Sequence, residues 1–226
     1  MKVEKDKRFD GVYWVKNGKR RLATKNLVKG YSVYGEFLFN INNEEYREWI
    51  PKRSKLAAYI LKGASEMPIK EGDCVLYLGA ASGTTASHIS DIVGSNGKIY
   101  CVDVSPRIVR ELVFVCSKKK NMFPILADAS KPESYVGIVP KCDIVYQDIA
   151  QPNQAEILIK NCEMFLKKNG YALFAVKSRS IDVTANPSKI FGEVEKILSE
   201  KFKILDKRRL DPFENDHMMF LLRWKK

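Results

Sequence analysis

Residues 74–103, CVLYLGAASGTTASHISDIVGSNGKIYCVD, constrain the fold more than any other stretch of the chain. An apolar run from Val75 to Leu78 meets the turn Gly79-Ala80-Ala81-Ser82-Gly83, and a helical pattern starts at Thr84-Thr85. A second apolar run then ends on Asp103. Strand, glycine turn, helix and strand in that order form the nucleotide-binding corner of a doubly wound α/β fold. Glycine lets the backbone come close to a ligand, and the helix that follows offers free N–H groups at its start. Ala81 stands where a dinucleotide fingerprint has its middle glycine, which weakens close approach to a pyrophosphate. A ligand with an adenosine and no pyrophosphate, such as S-adenosylmethionine, fits this turn, with Gly79 and Ala81 against it, better than a dinucleotide does. Asp103 is placed to accept hydrogen bonds from both hydroxyls of a ribose.

Charge narrows the partner. Thirty-nine Lys and Arg against 27 Asp and Glu leave a net charge of +12, a tilt that favours a polyanion, most often nucleic acid. No apolar run approaches the roughly 18 residues that cross a bilayer, so no membrane span is expected. The opening MKVEKDKRFDG is charged and lacks the apolar core of a secretory signal. The five cysteines (74, 101, 116, 142 and 162) form no CxxC pair and are odd in number. Most lie in apolar runs, which predicts reduced, buried thiols in a cytoplasmic protein, and no metal centre is expected.

Residues 1–52 read as a small β-rich N-terminal subdomain, and 53–226 as the domain built around the glycine turn. Val12–Val15 and Arg20–Thr24 suggest a hairpin closed by Asn17-Gly18, with a further strand at Phe37–Phe39. No helical period begins before about residue 44. Ser54 is a good N-cap for a helix running through LAAYILKGA, and Lys55 then sits in the first turn, where a cation opposes the helix dipole. Beyond it, strands at 74–79, 98–103, 123–127, 142–147 and 171–177 alternate with helices at 84–93, 106–119, 153–167 and 188–200. Ser105-Pro106 supplies the cap and first residue of the second of these helices. Two closing strands at 202–209 and 217–224, joined by a short loop, predict an antiparallel final pair. The fold class is α/β: a Rossmann-like seven-stranded methyltransferase sheet with an antiparallel last strand, preceded by the β-rich subdomain.

Ligands bind such sheets at the carboxyl ends of the strands. Gly79, Asp103, Asp128, Asp148 and Lys177 all fall at that edge. His217, opening an antiparallel strand, returns to it. An edge salt bridge between Asp148 and Lys177 is the plainer alternative for those two residues. His88 lies beside the apolar stripe Ala86, Ile89, Ile92 and Val93 and reads as structural.

The motifs REWIPKRSKLAAYIL, YLGAASGTT, YQDIAQPNQAEILIKN, FAVKSRSID and PFENDHMMF resemble those of the archaeal fibrillarin family along essentially the whole chain. The resemblance implies an S-adenosylmethionine-dependent RNA ribose 2′-O-methyltransferase acting on rRNA and tRNA. It implies a catalytic tetrad at Lys55, Asp148, Lys177 and His217. It also implies cofactor contacts at Thr84, Thr85, Asp103, Val104, Asp128, Ala129, Asp148 and Gln151. Its implied partners are a C/D-box guide RNA with its target, a Nop-family scaffold protein and a kink-turn-binding ribosomal-type protein. One departure is Trp49-Ile50-Pro51, where the family usually has Trp-Asn-Pro. Within this frame Lys177, held by Asp148, is the expected centre of deprotonation, with Lys55 and His217 orienting the ribose. Two other classes compete: a dinucleotide dehydrogenase, opposed by Ala81 and the basic charge, and a non-catalytic RNA-particle protein, opposed by the intact tetrad.

Overall fold

The structure, a computed structural model, describes residues 1–225. Two sheets organise it. The first is antiparallel throughout: β1 (Lys2–Lys5), β2 (Val12–Asn17), β3 (Lys19–Lys25), β4 (Leu38–Ile41) and β5 (Glu44–Glu48), in the order β1-β2-β3-β5-β4. The β2–β3 hairpin is not closed by a two-residue Asn-Gly turn, because Asn17 pairs with Lys19 across Gly18, which alone there has positive φ, at 68°. A tight turn of the mirror-image kind needs two such residues. That turn occurs instead between β4 and β5, where Ile41 pairs with Glu44 around Asn42 (φ 53°) and Asn43 (φ 65°).

β5 is a strand that the sequence pattern does not announce, and so is β1. In β5 the buried side chains include Glu45 and Arg47, so no apolar alternation marks it. Arg47 is fully buried and pairs with Glu36 at 2.6 Å and with Asp91 at 2.7 Å. Lys119, also fully buried, approaches the other oxygen of Asp91 at 2.5 Å. This ionic cluster locks the first sheet to the helix carrying Asp91. His88, on the same helix, accepts or donates at both ring nitrogens, to Thr24 Oγ1 at 2.8 Å and Tyr34 Oη at 2.7 Å, and stacks on Trp49. Its role is structural, as expected.

The second sheet contains β6 (Cys74–Leu78), β7 (Lys98–Asp103), β8 (Met122–Leu126), β9 (Cys142–Gln147), β10 (Leu166–Lys177), β11 (Phe202–Arg209) and β12 (His217–Trp224). Their order is β11-β12-β10-β9-β6-β7-β8, and β12 runs antiparallel to both its neighbours while the other pairs are parallel. Helices α1 (Lys55–Leu61), α2 (Thr84–Val93), α3 (Pro106–Lys118), α4 (Gln154–Phe165), α5 (Ser178–Ile181) and α6 (Pro187–Lys201) complete the domain. Alternate strand residues face opposite layers. Tyr77, Tyr146 and Leu221 join α1 and α2 in one core, whereas Leu78, Val145 and Phe220 join α4 and α6 in the other.

α4 stops at Phe165, and β10 begins at once, earlier than residue 171. The extra strand residues contain a register break between Leu166 and Tyr171. Gly170 lies in that break, where a Cβ would fall 2.9 Å from the carbonyl oxygen of Asp143. All five cysteines are free thiols, four of them buried. Among the described residues no helix is long and apolar enough to cross a membrane.

Candidate active site

The turn between β6 and α2 lies directly against the residue that follows β9. Gly79 has φ 78°, and a Cβ there would sit 2.2 Å from the carbonyl oxygen of Asp148, so only glycine fits. Ala81 also adopts positive φ, at 48°, a conformation that costs a non-glycine residue about 1 kcal/mol. Its N–H donates to Asp103 Oδ2 at 2.9 Å, which offsets that strain and ties the turn to the end of β7. The other carboxylate oxygen of Asp103 accepts from the N–H of Ser105 at 3.0 Å. After β8, Asp128 accepts from the N–H of Ser130 at 2.9 Å, and this bond, with the Ser130 side chain, holds its carboxyl below the usual carboxylate range.

These elements enclose a cleft of about 270 Å³. Gly79, Ala81, Asp103, Val104, Asp128, Ala129, Asp148 and Gln151 line it, and Ala127, Ile149 and Ile157 give it an apolar wall. Thr84 and Thr85 do not line it. The Thr85 side chain is buried and turned toward Ser54 Oγ, to which it donates at 3.0 Å. A slot with carboxylates at its rim and small apolar residues along its side suits a nucleoside: acids for sugar hydroxyls and a flat apolar wall for a base.

Asp148 lines the cleft and also pairs with a lysine outside it. Its N–H donates to the carbonyl of Leu78 at 2.9 Å, prolonging the β6–β9 ladder by one residue. Its Oδ2 lies 2.8 Å from Lys55 Nζ. Lys55 is the first residue of α1, and Ser54 caps that helix by accepting from Ala57 N at 3.4 Å. Burial pushes the Lys55 ammonium down, but the Asp148 carboxylate, aided by Glu214, outweighs it and holds the group above the ordinary lysine value. Asp148 thus pairs with Lys55, not with Lys177 as expected.

Lys177 and His217 face each other as a cross-strand pair at the ends of β10 and β12. The exposed Lys177 ammonium makes no hydrogen bond or ion pair among the described residues. His217 is buried, and its Nδ1 lies 2.7 Å from the carbonyl oxygen of Asn215. That contact assigns the proton to Nδ1 and leaves Nε2 as the acceptor. Burial first, and the charge on Lys55 second, push the His217 pKa down. The imidazole is therefore neutral at neutral pH.

Three supporting residues lie inside the quoted motifs, yet nothing in their residue types announces a role. Glu214 Oε2 lies 4.0 Å from His217 Nδ1. Asp216, at φ 58°, offers its carbonyl oxygen to both the N–H and the hydroxyl of Ser178, which joins the end of β10 to the start of β12. The fully buried Gln154 exchanges two hydrogen bonds with the backbone of Lys177, at 3.2 and 3.3 Å, and donates to the carbonyl of Gln151 at 3.0 Å. A glutamine at a helix start gives no hint of such burial. Among the described residues, no cluster of three His, Cys, Asp or Glu is arranged to hold a metal ion.

The reversed β12, the glycine turn after β6 and the acids after β7, β8 and β9 define a Rossmann-like methyltransferase domain. Residues 3–226 match the family profile described as Fibrillarin. A curated relative, the fibrillarin-like rRNA/tRNA 2′-O-methyltransferase of Thermococcus onnurineus, is 53% identical over 225 residues, covering 99% of each chain. The structure of Aeropyrum pernix fibrillarin, in complex with natively bound S-adenosyl-L-methionine, is 50% identical with a TM-score of 0.92, covering 98% of each chain. A fibrillarin from a fibrillarin/Nop5p complex is 45% identical with a TM-score of 0.89, covering 97% of this chain and 100% of that one. The chain belongs to the fibrillarin family.

Proposed function

We propose that the chain transfers a methyl group from S-adenosylmethionine to the ribose 2′-hydroxyl of rRNA and tRNA. The observation that carries this reading is the double position of Asp148, which lines the nucleoside cleft and holds Lys55 at 2.8 Å. Donor and acceptor halves of one reaction share that residue. In this reading Asp103 binds the ribose diol of the cofactor, Asp128 the adenine amino group, and Gly79 and Ala81 hold the turn beneath them. Val104, Ala129 and Gln151 line the cofactor, and Thr84 and Thr85, outside the cleft wall, contribute only through the free N–H groups at the start of α2.

The cofactor supplies a methyl already activated by a cationic sulfur, so the protein has to position the acceptor and make it nucleophilic. Lys55, kept charged by Asp148, donates to the ribose oxygen and stabilises negative charge developing on it. Lys177 presents a second, unpaired ammonium to the same oxygen. His217 is neutral, with Nε2 open, and accepts the hydroxyl proton there. The sequence leaves open which member of the tetrad takes the proton, and this reading gives it to His217.

A fibrillarin similar to this chain has been solved in complex with Nop5p, which supports a Nop-family scaffold here. The net charge of +12 supports RNA contact, but no base-reading motif is present, so a C/D-box guide RNA would select the nucleotide and a kink-turn-binding protein would complete the particle. Free thiols throughout support a reducing, cytoplasmic setting. The test is methyl transfer to a guide-paired RNA, with scaffold protein and guide present, alongside calorimetry with S-adenosylhomocysteine and NAD. Site-specific transfer and binding of S-adenosylhomocysteine alone are expected; binding of NAD alone would overturn the proposal.

A further inference from the structure

Thr85 is the second residue of α2, where a cofactor contact is expected, yet its hydroxyl has another partner. It is buried outside the cleft and donates to Ser54 Oγ at 3.0 Å. Ser54 is itself 2% exposed and accepts a second hydrogen bond from Ala57 N, at 3.4 Å, as the cap of α1. The next residue is Lys55, whose ammonium reaches Asp148 at 2.8 Å. Two donors from different elements, the side chain on α2 and the first turn of α1, therefore meet on one buried oxygen.

We propose that Thr85 and Ser54 form a positioning strut that sets the start of α1 against the start of α2 and thereby fixes where the Lys55 ammonium stands. The inference rests on the reading of Lys55 as an acceptor-side catalytic group.

Three physical features make the strut. A hydroxyl oxygen has two lone pairs, and Ser54 Oγ uses one for Thr85 and one for Ala57, so its rotamer is held from two directions. Both hydroxyls are buried, where a hydrogen bond is electrostatically stronger than in water and an unpaired partner is costly. Finally, Lys55 is a cation at a helix N-terminus, which the helix dipole disfavours, on a long and flexible stem. Such a group is held in one place only if the backbone beneath it is fixed and its tip is paired. Asp148 pairs the tip, and the strut fixes the base. α2 begins at the cofactor turn, so the same strut links the donor half of the site to the acceptor half.

Thr85→Val keeps the volume and removes the donor, whereas Thr85→Ser keeps the donor. With wild-type and Lys55→Ala chains in parallel, three quantities separate the possibilities: S-adenosylhomocysteine affinity, single-turnover methyl transfer at saturating cofactor in the RNA-loaded particle, and melting temperature. Displacing a reacting group by a fraction of an ångström to an ångström costs from a few-fold to about a hundredfold, so a loss of about tenfold in rate is expected for Thr85→Val, with affinity retained. Thr85→Ser should recover the rate. Ser54→Gly, which a helix cap tolerates, should reproduce the Thr85→Val loss, and the double variant should be no slower than either single one. The strut is overturned by an unchanged rate in Thr85→Val, by a loss confined to cofactor affinity, or by additive losses in the double variant. A normal rate in Lys55→Ala would overturn the Lys55 reading itself. If Thr85→Val does not fold, Ser54→Gly compared with Thr85→Ser decides the matter: a slow Ser54→Gly beside a normal Thr85→Ser supports the strut, and equal rates overturn it.

Discussion

Lys55 Nζ and Asp148 Oδ2 meet at 2.8 Å across 93 residues of sequence, joining the first residue of a helix to the residue after the central strand β9. Asp148 lines the cleft, so on our reading the pair puts a fixed positive charge between the methyl donor and its acceptor. Replacing Lys55 by alanine should lower the single-turnover rate by about a hundredfold or more, the loss seen when one preorganised donor to a developing oxyanion is removed. S-adenosylhomocysteine affinity should remain, because Lys55 does not line the cleft. Lys177→Ala should behave the same way. A tenfold loss of affinity with a normal rate for either variant would contradict these roles.

Acid should inhibit through His217. Its folded pKa is pushed below the ordinary value of 6.5 by burial and by the charge on Lys55. As the pH falls, the unfolded chain takes up this proton before the folded chain does. The stability linked to the neutral ring is therefore complete above about 6.5 and is lost as the pH falls through the depressed folded value. The fully buried His88, pushed far lower by burial and by the Arg47 and Lys119 charges, acts in the same direction. Activity should show an acid limb with an apparent pKa under 6.5. His217→Asn should abolish that limb together with most of the rate, while His88→Gln should flatten the decline of melting temperature between neutral and mildly acid pH and spare the limb. An acid limb that persists in His217→Asn would rule out His217 as proton acceptor.

The first sheet should be unusually sensitive at Arg47. This side chain is fully buried and pairs with both Glu36 and Asp91. Arg47→Ala leaves two buried carboxylates short of a partner, a change that costs about 3–5 kcal/mol. Urea unfolding followed by circular dichroism would read this as a lowered midpoint. A loss under about 1 kcal/mol would mean that the cluster relaxes into water.

The second sheet was almost fully legible in the sequence and the first only partly, for one physical reason. Strands β6 to β12 bury apolar side chains, so their composition announces them. β5 turns Glu45 and Arg47 inward and pairs them, and β1 is a charged strand in which only Val3 is half-buried. Neither shows a hydrophobic period. The site divides in the same manner. Acids and a lysine at the ends of apolar strands mark Asp103, Asp128, Asp148 and Lys177, because a charge that interrupts such a run has to lie at a sheet edge. The Lys55–Asp148 pairing, the inward turn of Thr85 and the Gln154 clamp depend on how separate elements dock, which no local pattern encodes.

Two substitutions separate recognition from architecture in the cofactor cleft. Asp103 binds the turn through Ala81 N and Ser105 N, and on our reading it also takes the ribose diol. Asp103→Asn keeps the shape but replaces one acceptor oxygen by a donor, which clashes with the Ala81 or the Ser105 N–H whichever way the amide turns. S-adenosylhomocysteine affinity should fall by at least tenfold, the equivalent of about 1.4 kcal/mol and less than the loss of one charge-assisted pair of hydrogen bonds. RNA association should hardly change. Gly79→Ala should act differently. Its Cβ would stand 2.2 Å from the Asp148 carbonyl oxygen and 2.8 Å from the Ile149 side chain, so β6 and the chain after β9 have to move apart. That displacement shifts Asp148, and with it the anchor of Lys55, so cofactor affinity and methyl-transfer rate should fall together, with a lower melting temperature. An Asp103→Asn chain with full affinity would remove the diol role, and a Gly79→Ala chain with normal rate and stability would show that the close approach of the two turns is not needed.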